Sequence, residues 1–116
     1  MMEDISPYVA EMNRGFLQVL ALIALETPMY GYGMIQSFRE RGYELEESTL
    51  YPLLRRLEKN GLIRSEWDVT GNRPKKYYRA TARGRSVREN LVRFWQKQDT
   101  ILRDILKERS DVKNPR

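Results

Sequence analysis

The chain has 116 residues, 41% of them hydrophobic, with a formal net charge of +5 and neither cysteine nor histidine. That length suffices for one core, and the missing residue types exclude disulfides, thiol nucleophiles, most transition-metal sites and the usual general base of hydrolases. An enzyme, a metal and a cofactor are therefore not expected.

The charge is unevenly spread. Residues 55–85 carry ten basic against three acidic side chains, whereas residues 1–45 carry three basic against six acidic, so a local positive field points to a polyanionic partner. No run approaches the roughly 18 apolar residues of a membrane span, and the N-terminus lacks the basic-then-apolar layout of a signal peptide. A cytoplasmic protein with no membrane partner is expected.

In chain order, Ser6 and Pro7 read as the N-cap and first position of a helix that is almost wholly apolar from Phe16 to Leu25 and stops at Thr27-Pro28. Tyr30-Gly31-Tyr32-Gly33 leads tightly into a short second helix, roughly Tyr32 to Arg41, with Ile35 and Phe38 inward and Gly42 as its cap. The two glycines make no phosphate-binding loop, because neither a preceding strand nor a following lysine-hydroxyl pair accompanies them.

A third helix starts between Glu46 and Thr49. Leu50, Leu53, Leu54 and Leu57 form its buried stripe, and Gly61 is placed for a left-handed C-terminal cap. Pro52 lacks the donor for the Ser48 carbonyl and is tolerable only near the helix start. The other side collects Ser48, Thr49, Tyr51, Pro52, Arg55, Arg56 and Lys59, a mixture of hydroxyls, rings and cations suited to a phosphate-lined groove. The helix dipole accounts for Glu46 and Glu47 at its start.

Beyond Gly61, Ile63, Ser65 and Trp67 alternate with Arg64 and Glu66. A turn-rich stretch, Val69 to Pro74, then precedes Lys75 to Arg79, giving a β-hairpin with a basic tip. Trp67, Tyr77 and Tyr78 could stack on bases, but alternation turns some of them under the hairpin, and Trp67 is expected in the core. Thr81 caps a last helix that reaches about Arg109, and the polar residues from Ser110 on are expected to fray.

Three helices followed by a two-stranded wing make an α+β winged helix-turn-helix. Residues 1–80 form the DNA-binding unit, and residues 81–116 form a long C-terminal dimerisation helix with its tail. Arg55 and Arg56 are placed to read guanines or bind phosphate, and Ser48, Thr49 and Tyr51 to reach phosphates or bases. Arg73, Lys75 and Lys76 extend the cationic surface onto the wing. A winged-helix protein-interaction adaptor that does not bind DNA is the alternative.

The segments RGFLQVLALIALETPMYGYGMI, STLYPLLRRLEKNGLIRSEW and RPKKYYRATARG, in this order and followed by one long helix, resemble the PadR family of bacterial transcriptional regulators, specifically its short members. The resemblance spans nearly the whole chain, with departures at Gly33, Glu46 and Ala80. It implies a homodimeric repressor that holds a pseudo-palindromic operator in double-stranded DNA and is released by a small aromatic ligand.

The last helix carries its own signal for dimerisation. Val87, Leu91, Phe94, Ile101 and Ile105 make a seam with Gln98 at its middle, and Trp95, Leu102 and Leu106 widen it beyond what a three-helix core covers. Trp95 near the twofold axis, with Asp99 one turn on, could receive a planar cationic effector or could simply fill the dimer core.

Overall fold

Leu17, Ala21 and Leu22 recur at helical spacing and are buried, with Leu25 buried at the C-cap, so one stripe of α1 (Ser6–Ala24) forms the floor of the core. The computed structural model describes residues 3–111. Ser6 is the first helical residue rather than the cap. Ile5 takes the cap position, and the Asp4 carboxylate accepts the Ser6 N–H at 2.9 Å. The other flank of α1 is less covered, with Ile23 exposed.

A two-residue strand, β1 (Met29–Tyr30), comes next and was not anticipated. It pairs antiparallel with the second strand of the hairpin, so the wing is a three-stranded sheet of order β1-β3-β2. Two residues are too few to show an alternation, and Tyr30 reads in sequence only as the approach to a helix.

Helices α2 (Gly31–Glu40) and α3 (Glu47–Lys59) follow. Each ends in a Schellman arrangement. After α3, Leu62 N–H donates to the Leu57 carbonyl and Gly61 N–H to that of Glu58, with Gly61 at φ +79°. The expected leucine stripe of α3 is fully buried against Met34, Ile35 and Leu45. Losing one such side chain, for instance Leu54→Ala, costs about 2–5 kcal/mol.

The hairpin pairs β2 (Ile63–Asp68) with β3 (Lys75–Ala80) in unbroken register from Ile63 opposite Ala80 to Asp68 opposite Lys75. Ile63, Tyr78 and Ala80 face the core. Thr81 caps α4 (Ala82–Asp111) as expected, its Oγ1 accepting the Gly84 N–H at 3.0 Å while donating to the Gly61 carbonyl at 2.7 Å. That one hydroxyl ties the end of α3 to the start of α4.

The first turns of α4 lie on the body. Val87 and Leu91 pack against the core, and Arg88 pairs with Glu26 just beyond α1. From Gln96 to Ser110 every residue is exposed. Ser110 and Asp111 are still helical rather than frayed, and the remainder of the expected tail, residues 112–116, lies outside the described residues. Among the described residues no helix is long and apolar enough to cross a membrane.

Candidate nucleic-acid interface

Burying the leucine stripe of α3 turns its opposite side outward, where Ser48, Arg55, Arg56 and Lys59 are exposed. Glu46 adopts an extended backbone and caps the helix without a side-chain hydrogen bond. The start is held instead by Arg39, whose guanidinium donates to the Leu45 carbonyl at 3.0 Å and lies 3.9 Å from the Glu46 carboxylate.

Not all of the expected contact residues share that side. Tyr51 and Pro52 are half-buried, so they support the helix more than they project from it. Tyr51 lies against the first residue of α2: a Cβ on Gly31 would fall 2.4 Å from its hydroxyl oxygen and 2.7 Å from a ring carbon. Burial raises the Tyr51 phenol pKa, with the Glu47 carboxylate adding to the effect. Thr49 turns away from the wing and lines a cleft with Asn13, Arg14 and Tyr43.

On the wing, Arg73 sits in the turn and is exposed, whereas Lys75 and Lys76 belong to β3 rather than to the tip. Lys75 Nζ lies 5.4 Å from the centre of the Tyr30 ring. Lys76 Nζ lies 5.7 Å from that of Trp67 and 5.9 Å from that of Tyr78. Tyr78 is close enough to α3 for Tyr51, Glu58 and Arg55 to act on its phenol, although burial dominates in raising its pKa. Arg55 of α3 and Lys76 of the wing therefore both lie beside Tyr78, whereas Lys75 is on the other face of the hairpin, with Tyr30 and Asp68.

Trp67 corrects an expectation. It is 62% exposed rather than part of the core, because β2 runs on past the end of the packed body.

The outer face of the sheet carries a network that the sequence did not reveal. Tyr30 donates to the Asp68 carboxylate at 2.7 Å across the intervening strand, and Tyr77 donates to Glu66 at 3.0 Å. Asp68 also accepts from the Thr70 hydroxyl at 2.7 Å and from the Thr70 N–H at 3.0 Å. The Thr70 and Tyr30 side-chain bonds lead in lowering its pKa to about 2, and Lys75 adds a smaller attraction. Both tyrosines respond oppositely, their pKa values raised by the carboxylates they bond.

Along α4 the expected seam divides. Val87 and Leu91 belong to the chain's own core, whereas Phe94, Gln98, Ile101 and Ile105 face solvent. Trp95 packs on Phe16 of α1 with ring centroids 4.9 Å apart, and Asp99 holds Arg103 at 2.8 Å.

The family model for the transcriptional regulator PadR-like family matches residues 19–90, from the middle of α1 through the wing into α4. The chain belongs to the PadR-like family of transcriptional regulators. Among PadR proteins of known structure, the fold superposes on a PadR family transcriptional regulator from Eggerthella lenta with a TM-score of 0.81. The two are 41% identical, over 88% of this chain and 91% of that one. A PadR-like transcriptional regulator from Bacillus cereus gives a TM-score of 0.75 at 26% identity, over 83% and 96% of the two chains. In sequence, a transcriptional regulator from Mycobacterium tuberculosis is 40% identical over 64 residues, 55% of this chain and 60% of that protein. An uncharacterised protein from Lysinibacillus sphaericus is 33% identical over 98 residues, 80% and 90% of the two. This PadR chain is accordingly a transcriptional regulator with a winged-helix fold.

Proposed function

We propose that this PadR-family regulator acts as a homodimer on a pseudo-palindromic operator in double-stranded DNA. In this reading α3 reads bases through Arg55 and Arg56, the wing grips the backbone through Arg73, Lys75 and Lys76, and the bound dimer represses transcription. The observation that carries it is the convergence of Arg55 and Lys76 on Tyr78 across the α3–wing boundary, on a chain whose excess positive charge is concentrated there. Dimerisation rests on the apolar row of α4 that its own chain leaves uncovered, Phe94, Ile101, Leu102, Ile105 and Leu106.

The reading extends to an effector. Trp95, 43% exposed and stacked at a tilt on Phe16, offers a ring face beside the apolar row to a small planar aromatic molecule, whose binding would lower operator affinity. Asp99 is already engaged by Arg103, so a cationic ligand gains from Asp99 only by displacing that guanidinium. A planar dye should quench indole fluorescence and weaken DNA binding together, and Trp95→Ala should remove both effects. Loss of neither in that variant would place the effector elsewhere.

Footprinting on the DNA upstream of the chain's own coding region, repeated across a salt series, tests the core of the proposal. Arg55→Ala or Arg56→Ala should relax base preference at a cost of about 1–3 kcal/mol. Lys75→Ala or Lys76→Ala should weaken all sequences alike and flatten the salt slope by about one unit each. A protein-interaction adaptor would show no salt-steep binding to any duplex.

A further inference from the structure

The face of the hairpin turned toward α3 is filled in sequence. Its first pair, Ile63 opposite Ala80, is core. At the second pair, Ser65 opposite Tyr78, the serine hydroxyl donates to Glu58 of α3 at 2.7 Å and the tyrosine is buried. At the third pair, Trp67 opposite Lys76, the cover has ended: the indole is exposed and the lysine half-buried. A large apolar ring therefore stands in solvent on the same face as Lys76, with Val69 exposed just beyond it. The Lys76 ammonium lies against the indole at 5.7 Å, which fixes the ring and puts a cation at its face.

An indole left in water in a chain this size calls for a partner, and the surrounding charge selects a polyanion. We propose that Trp67 is the apolar contact of the wing with duplex DNA. Its indole packs against sugar and base edges of the groove flanking the α3 site, while Lys76 meets the adjoining phosphate. This rests on the DNA-binding reading above and adds to it a contact that is not electrostatic. Burying an apolar surface releases no counterions, so the energy that Trp67 supplies is independent of salt, whereas that of Lys76 is not.

The experiment uses the full chain and a duplex from the region upstream of its own gene, with a scrambled duplex beside it. Affinities of wild type, Trp67→Ala, Trp67→Phe and Lys76→Ala are measured across a salt series, with thermal unfolding as the check on folding. Trp67→Ala should weaken binding about tenfold at every salt concentration with the slope unchanged, and Trp67→Phe should recover part of the loss. Lys76→Ala should reduce the slope. Because the chain has two tryptophans, Trp95→Phe leaves Trp67 as the sole indole, whose fluorescence should change on adding DNA. Equal affinity of Trp67→Ala and wild type, or a loss confined to low salt, overturns the inference while the DNA-binding reading stands. Failure of the wild type to bind either duplex overturns both.

Discussion

Tyr30 and Asp68 lie 38 positions apart in sequence and are joined by a 2.7 Å hydrogen bond across the width of the wing. With Asp68 lowered to about 2, the sign of its pH dependence follows. The ionised, hydrogen-bonded carboxylate steadies the wing at any pH above the ordinary carboxylate value of about 3.9, and that contribution fades as pH falls toward 2. Tyr30→Phe removes the second of its two leading causes, so the Asp68 carboxyl should titrate closer to the ordinary value while Thr70 keeps it somewhat low. Carbon NMR of the carboxyl group against pH measures this, and an unchanged midpoint in the variant would mean the cross-strand bond does not form in solution. Neither partner announces this pairing in sequence, because Tyr30 belongs to a strand too short to have a pattern. Trp67 shows a different limit. Alternation correctly puts it on the face shared with Ile63, but whether that face is covered depends on how far the packed body extends, and parity carries no information about reach.

Helices α2 and α3 approach closely where Gly31 meets Tyr51. In Gly31→Ala the new methyl would collide with the phenol, so α2 must retreat or the ring must turn, at a cost of about 1–3 kcal/mol in urea unfolding. Adding Tyr51→Ala should recover much of that cost, because the obstacle is then gone; strictly additive costs would show that the two helices do not meet there. The elements themselves were largely legible. The leucine stripe of α3, Gly42 and Gly61 as caps, Thr81 as an N-cap and the turn-rich gap of the hairpin are local signals, each set by backbone or periodicity within a few residues. The burial of Tyr51 was not, since it is decided by α2, where Gly31 lies against the ring.

For the molecule as a whole, the question is what covers α4. Its sequence shows an apolar seam but not which part serves the chain itself. The body reaches only as far as Leu91 and Trp95, and the rest is left for another surface. Leu102 and Ile105 are 55% and 53% exposed, so Leu102→Lys with Ile105→Lys should yield monomers whose winged unit is intact. The same change at Leu91 would disturb the fold as well. Sedimentation decides the matter, and a double variant that stays dimeric would refute association through this row.

The projecting part of α4 also bears on how the protein behaves when scarce. A helical segment with solvent on every side from Gln96 to Ser110 has little to hold its backbone in place, because isolated helices of about this length are marginal in water. If a second chain supplies the missing support, the helix content becomes a function of protein concentration. Amide hydrogens between residues 98 and 110 should exchange faster on dilution, while those of the buried leucines of α3 hold their rate. A newly made chain at low copy number would then carry a folded winged head on a melted stalk, and the stalk would harden only as copies accumulate.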